Sequence, residues 1–328
     1  MPDSGIDRIR ATRETDRPDV VRLLHATWRA AFAPHLPPSS SDAYVARRIA
    51  ENYVAERWAE LAVAERGDRV VGMVHLEGNL VAALHVEPAS WGRGVGRRLL
   101  AWAERRAFDG GERVLRLQVE DFNARAVELY QRAGWTELVR RPDTELGSGG
   151  KSITMGKVLD TEGLRLRPYD ETDRAGCLAL FDGNVPEFFA PRERDDFVEF
   201  LDDLHGPYLV GADTDGRLVA CGGLQADDED ATVAVLCWGM VDRTRHGSGF
   251  GRELLAARLD LIAAADFEQV TIETTPMSRG FFERVGFRAL RTEPDGFAPG
   301  YDLVEMALVL AERMADDRSG DAQTVRTG

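Results

Sequence analysis

Leu84-His85-Val86-Glu87-Pro88-Ala89-Ser90-Trp91-Gly92-Arg93-Gly94-Val95-Gly96-Arg97-Arg98-Leu99-Leu100 is the stretch that decides the fold. It runs from an apolar strand through a short polar turn into a Gly-x-Gly-x-Gly run that opens an amphipathic helix. Such a turn aims bare backbone N–H groups at one point in front of a helix N-terminus. There the unpaired donors and the helix dipole both favour an anion such as a phosphate. The pattern is written a second time as Gly239-Met240-Val241-Asp242-Arg243-Thr244-Arg245-His246-Gly247-Ser248-Gly249-Phe250-Gly251-Arg252-Glu253-Leu254-Leu255, 155 residues later.

Outward from these two loops the rest of the chain repeats as well. Glu14-Thr15-Asp16-Arg17 returns as Glu171-Thr172-Asp173-Arg174, and Arg69-Val70-Val71 as Arg217-Leu218-Val219. Tyr130-Gln131-Arg132-Ala133-Gly134-Trp135 returns as Phe282-Glu283-Arg284-Val285-Gly286-Phe287. The offset drifts between 148 and 157 residues, which marks a duplicated domain with loop insertions rather than a solenoid. A length of 328 residues suits that reading, since a single domain averages ~150. The expected division is an N-terminal domain over 1–158, a linker over 159–163, a C-terminal domain over 164–311 and a disordered tail over 312–328. Residues 1–6 are polar and aperiodic and are expected to fray with the tail.

The composition narrows the setting. No apolar run is long enough to span a membrane and no signal-peptide pattern is present, so a cytoplasmic protein is expected. Three scattered cysteines, Cys177, Cys221 and Cys237, form neither a disulfide framework nor a metal spacing and read as buried thiols. The six histidines form no metal-binding pair, and no metal is expected. A net charge of −15 argues against nucleic acid as a partner. Only Lys151 and Lys157 are lysines among 41 basic residues. With so many acids, that is the composition of a salt-loving organism's protein, in which high salt screens the self-repulsion. The run Asp227-Asp228-Glu229-Asp230 then reads as a solvated hairpin tip rather than a site for a cationic substrate.

Hydrophobic periodicity places the motifs. In the first copy Asp7–Ala11 reads as a strand. A helix capped by Thr15 or Asp16 runs to about Phe32 with Val21, Leu24 and Trp28 on one face, and a second helix spans roughly 41–58. Strands follow over 61–65, 70–76 and 80–86. The loop helix covers 94–108 and stops at Gly110-Gly111. Then come a strand over 114–119, a helix over 124–133 and a closing hairpin of 136–140 with 152–158. The second copy repeats this order, with Phe197, Phe200, Leu201 and Leu204 as the stripe of its second helix and a longer hairpin between 218–225 and 231–241. The fold class is α/β (mixed α+β): two tandem domains, each a mixed, mostly antiparallel sheet with helices on both faces.

Both halves resemble the GNAT superfamily of acyl-CoA-dependent N-acyltransferases, over about 8–158 and 164–310. The family's pyrophosphate loop, Gln/Arg-x-x-Gly-x-Gly/Ala, is matched by Trp91-Gly92-Arg93-Gly94-Val95-Gly96 and His246-Gly247-Ser248-Gly249-Phe250-Gly251, except at the first position of each. A later family motif, Asn-x-x-Ala-x-x-x-Tyr-x-x-x-Gly-Phe, resembles Asn123 to Trp135. The resemblance implies a tandem N-acetyltransferase that moves the acetyl group of acetyl-CoA directly onto a primary amine of a small molecule or peptide. The pantetheine arm would pair with the backbone of Leu84, His85 and Val86 and with Asn123, which is also suited to cap the following helix. The pyrophosphate would sit on the N–H groups of Gly92, Arg93, Gly94, Val95, Gly96 and Arg97. The equivalent cofactor positions of the second copy are Met240, Val241, Gly247, Ser248, Gly249, Phe250 and Gly251.

Tyr130 is implied as the acid that protonates the departing thiolate. The glutamate that relatives acting on protein N-termini carry five residues before the Asn is Gln118 here, which cannot take a proton. Glu120, His85 and Glu77 are the candidate bases. In the second copy Phe282 replaces the phenol, Glu273 falls where Gln118 stands if the missing residues lie just after the strand, and Thr275 or a deletion replaces the Asn. Catalysis is therefore expected in the first half. The molecule is expected to be a monomer built as a pseudo-dimer, or a homodimer, with no membrane partner. A mycothiol-synthase-like tandem acyltransferase and a non-catalytic acyl-CoA-binding scaffold are the alternative readings. Gly147-Ser148-Gly149-Gly150-Lys151-Ser152 imitates the end of a nucleotide-binding loop. It is followed by a strand and has Glu145 where a glycine is needed, so it reads as a flexible hairpin tip.

Overall fold

The computed structural model describes residues 5–144, 146–159 and 163–311. Most of the expected linker (160–162), the tail (312–328), residues 1–4 and Glu145 lie outside the described residues. The chain divides into two units, Met1–Leu159 and Asp160–Gly328.

In the first unit the elements are β1 (Arg8–Ala11), α1 (Arg17–Thr27), α2 (Pro38–Ala46), α3 (Ile49–Arg57), β2 (Leu61–Arg66), β3 (Arg69–Glu77), β4 (Leu80–Val86), α4 (Val95–Asp109), β5 (Val114–Glu120), α5 (Ala124–Arg132), β6 (Thr136–Pro142) and β7 (Lys151–Val158). In the second they are β8 (Arg165–Pro168), α6 (Arg174–Asn184), α7 (Glu193–Asp202), β9 (Tyr208–Ala212), β10 (Leu218–Ala226), β11 (Val233–Val241), α8 (Phe250–Ala264), β12 (Gln269–Thr274), α9 (Pro276–Glu283), β13 (Arg288–Ala298) and β14 (Tyr301–Val309). Each unit folds into a 7-stranded sheet, ordered β1-β2-β3-β4-β5-β7-β6 and β8-β9-β10-β11-β12-β14-β13. The two orders are the same. All neighbours are antiparallel except β4 with β5 and β11 with β12.

The repeated sequences make repeated contacts. Asp16 accepts the Arg13 N–H at 2.7 Å and the Arg10 guanidinium at 2.6 Å. Asp173 does the same with Asp170 and Arg167, at 2.9 and 2.6 Å. The guanidinium hydrogen bond holds each carboxyl below the usual Asp range. In the first unit α4 and α5 cover one face of the sheet, where Leu99, Leu100, Ala103 and Ala107 of α4 are all buried. Each buried leucine contributes about 1.5–3 kcal/mol. Helices α1 and α3 cover the other face through Val20, Leu23, Leu24 and Val54.

Three local expectations are corrected. The helix expected over 41–58 is two helices, because Arg48 takes a left-handed φ of 52°. In a continuous 3.6-residue helix the buried residues Tyr44, Ala50 and Val54 would spread over about 120°, and the break brings all three to the core. The first helix ends at Thr27 and continues as a π-helical turn over Trp28–Phe32, which stacks Trp28 on Tyr44 at 4.2 Å. Ile6 does not fray: it is buried in the core, and its carbonyl accepts from Arg98. Of the cysteines, Cys177 and Cys221 are buried and Cys237 is partly exposed. Asp227-Asp228-Glu229-Asp230 is a hairpin tip, closed by the Asp227 carboxylate on the Glu229 and Asp230 N–H groups.

Candidate functional site

Strands β4 and β5 pair at Leu80 with Arg116 and then diverge. Glu87 N–H bonds Val71 on β3. By strand alternation the backbone groups of Leu84 and Val86 therefore face β5, across the opening. The opening is a cleft of ≈ 890 Å³ that brings together Leu84, His85, Val86, Glu120, Asn123 and Tyr130 with Gly92, Gly94, Val95, Gly96 and Arg97. Of the expected first-half cofactor positions Arg93 stays outside it. Glu77 is also excluded: it lies with Glu60 and His75, where Glu60 and the Tyr53 hydroxyl already bond the His75 ring at 2.7 and 2.6 Å.

The glycine loop opens α4 through two left-handed residues. Gly92 and Gly94 have φ of 74° and 79°, left-handed values that any side chain resists. Gly94 is the N-cap of α4, and the first turn of that helix carries no acid. A Cβ on Gly96 would come within 2.9 Å of Leu129 Cδ2, so this third glycine also lets α4 approach α5. The Val95 side chain belongs to the core, leaving only its backbone to the loop. Trp91, where the family has Gln or Arg, donates its indole N–H to Val86 O at 2.7 Å. His246 makes the same contact with Val241 O at 3.1 Å. Both departures therefore tie the loop back to the strand, and the Val86 carbonyl is already engaged. Arg125 lies over the Trp91 ring at 3.9 Å.

Three of the expected side chains bring polar groups to the cleft. Tyr130 is buried, and loss of water pushes its phenol well above the usual value of 10. Its hydroxyl has no hydrogen-bond partner among the described residues and lines the cleft. Asn123 is the N-cap residue of α5 but makes no side-chain cap, contrary to the expected capping role, so its amide stays with the cleft. The third is His85. Its Nδ1 lies 2.8 Å from Thr27 Oγ1. That hydroxyl has one proton and sits 3.1 and 3.0 Å from Leu23 O and Leu24 O. Donating it to the helix carbonyls leaves Oγ1 to accept Nδ1–H, and this assigns the lone pair to Nε2. Burial lowers the His85 pKa to about 4, so the ring is neutral at pH 7. His85 faces α1, whereas Tyr130 packs among the residues under α4. The sequence hid Thr27: a threonine at the end of an amphipathic helix announces nothing until β4 is placed beneath it.

The second unit has a cleft of ≈ 740 Å³ at the same place. Val235 pairs with Thr271 at the position of Leu80 and Arg116. This puts Glu273 where Gln118 stands and Thr275 at the N-cap of α9. Met240, Val241, Gly247 and Gly251 line this cleft; Ser248, Gly249 and Phe250 do not. Gly249 keeps the left-handed N-cap with φ 97°, but Glu253 adds an acid to the first turn of α8. Phe282 is buried in the place of Tyr130.

Residues 20–135 and 177–287 each match the family model described as the acetyltransferase (GNAT) family. No curated protein matches the chain at a significant level. Similar solved structures include a GCN5-related N-acetyltransferase from Rhodopseudomonas palustris (23% identity, 46% of this chain and 95% of that one, TM-score 0.41). Another is from Kribbella flavida (21% identity, 45% and 98%, TM-score 0.40). A third is the ribosomal-protein-S18-alanine N-acetyltransferase of Escherichia coli (17% identity, 44% and 93%, TM-score 0.38). Among the described residues no helix is long and apolar enough to cross a membrane.

Proposed function

The chain belongs to the acetyltransferase (GNAT) family, and on that premise we propose that its N-terminal domain transfers the acetyl group of acetyl-CoA to a primary amine of a small molecule or peptide. The observation that carries this is the diverging pair β4 and β5. Into one cleft it gathers a glycine-loop helix N-terminus, a neutral histidine, an amide and a phenol. The fit to acetyl-CoA rests on the Gly92 and Gly94 conformations and on two polar groups, the Asn123 amide and the Tyr130 hydroxyl, that make no hydrogen bond to a described residue. The N–H groups from Gly92 to Arg97 would hold the pyrophosphate. Val86 N–H and Asn123 would hold the pantetheine.

Bound there, acetyl-CoA supplies an acyl group activated as a thioester. The chain's own residues then divide the proton work. His85 Nε2, with Thr27 on the other ring nitrogen, takes the proton that the amine nitrogen sheds as it adds to the thioester carbonyl, the point at which that proton becomes acidic enough for a ring of lowered pKa. Tyr130, kept protonated by burial, donates on the opposite side, to the CoA thiolate released as the C–S bond breaks. Phe32 and Phe122, edge to face at 6.0 Å, help wall the acceptor end against water. Glu120 lies at the end of β5 as a second candidate base. Incubating the full chain with acetyl-CoA and a panel of amines, and following free CoA, tests the proposal. Release that depends on amine and is lost in Gly94→Val but kept in Gly249→Val is expected. Release that survives Gly94→Val and is lost in Gly249→Val moves the activity to the second unit.

A further inference from the structure

The cleft of the second unit contains a charge that the first lacks. Arg258 projects from α8 and is buried, with 3% of its surface exposed, yet it is one of the residues that line the cleft. Among the described residues its one hydrogen bond is from Nη1 to Gly223 O, a long 3.3 Å, and Nε is sealed without a partner. No carboxylate among the described residues lies within ion-pair distance. Of the acids along the cleft, Glu193 is buried and accepts the Ala190 N–H at 2.6 Å, while Asp196 and Glu273 are exposed. The cleft's other charged or titratable groups are Arg192, Arg245, His246 and Cys237.

The surroundings are shaped around this side chain. A Cβ on Gly222 would lie 2.9 Å from Nη1, and one on Gly239 would lie 2.8 Å from Nη2. The equivalent positions of the first unit hold Val74 and Leu84, with Ala103 in place of Arg258. Two side chains are absent where one arginine enters. Thr275, on the same cleft, has a buried hydroxyl that is a second donor without a partner among the described residues. Guanidinium keeps its proton even when buried, and a buried unpaired cation is costly unless an anion meets it.

We propose that the inner end of the C-terminal cleft binds a carboxylate, with Arg258 as its counter-ion and Thr275 as a neutral donor. The carboxylate can arrive as a free small acid. It can also arrive as the far end of a dicarboxylic acyl thioester of coenzyme A, whose phosphates would use the Gly247–Gly251 loop. Only the thioester source rests on the acyl-CoA reading above.

Calorimetry on the full chain carrying Gly94→Val, which closes the first cleft, separates the cases with succinate, succinyl-CoA and acetyl-CoA as probes. A carboxylate ligand is expected to bind and to lose about ten- to a hundredfold in affinity in Arg258→Met, the range for a charge-assisted hydrogen bond. Binding of succinate alone identifies the free acid. Succinyl-CoA binding at least about tenfold tighter than acetyl-CoA, the least that one charge-assisted bond supplies, identifies the thioester. Thermal melting confirms that the variant folds. Should Arg258→Met fail to fold, Arg258→Lys keeps the charge without the fork and is expected to retain a weakened preference. Absence of succinate binding together with equal affinity for the two thioesters overturns the proposal, as does binding unchanged in the folded variant. Acetyl-CoA binding to the unsubstituted first cleft reports separately on the acyl-CoA reading.

Discussion

Replacing Tyr130 by Phe removes a single oxygen, and its consequences for folding and for chemistry separate cleanly. The hydroxyl makes no hydrogen bond to a described residue, so the folded state loses no internal partner. The ring stays packed 6.1 Å from Trp135. Phe282, buried 5.5 Å from Phe287, shows that phenylalanine fills the same place in the second unit. The stability change should stay within about 0.5 kcal/mol, a shift in Tm of roughly 1–2 °C for a domain of this size. Turnover should fall much further. A missing general acid costs on the order of 10²–10⁴ in rate, or roughly 2.7–5.4 kcal/mol of barrier at 1.36 per decade. A continuous assay of released CoA, once an amine acceptor is found, measures kcat. A single-turnover experiment ensures that chemistry rather than product release is being read. An unchanged single-turnover rate, with the protein folded, would refute the role given to the phenol.

Three further outcomes are expected. Gly94→Val forces a β-branched residue into φ 79° at the N-cap of α4, so acetyl-CoA binding to the first unit should vanish in calorimetry; wild-type affinity would remove the loop assignment. Burial holds the His85 pKa at about 4, below the unfolded value of 6.5. The unfolded chain therefore binds the proton first, and stability is lost as pH falls from about 6.5 towards 4; His85→Gln should flatten that part of the stability curve, and a curve parallel to wild type in denaturant titrations contradicts it. A net charge of −15 predicts a Tm that rises between ~0.1 and ~3 M salt, and a flat Tm leaves the acidic surface to be explained by a cationic ligand.

Much of this was legible in the sequence because it is local. The glycine loops, the strands ending at Val86 and Val241 and the Asn123 helix start are each fixed within a few residues by turn chemistry and periodicity. The repeat added the rest of the topology, since each half had to fold alike. What escaped depends on partners distant in sequence. Thr27 meets His85 across 58 positions. The split of α2 from α3 follows from which apolar residues the sheet needs, not from any helix breaker. Arg258 reads as an ordinary polar residue in a helix until Gly222 and Gly239 are seen beside it.

Those three positions are coupled on any path between the two domain copies. Installing an arginine at the Ala103 position of the first unit, with Val74 and Leu84 still present, drives a guanidinium into side chains that stand where Gly222 and Gly239 leave room. Trimming the two neighbours first opens a void in a packed core, at a cost that grows with its volume. Each single step is unfavourable and the triple exchange is not, so the substitutions are strongly non-additive. The copies are thus held apart by a ridge in sequence space, and a chimaera that swaps α4 for α8 alone should fail where one exchanging the helix together with its facing strands succeeds.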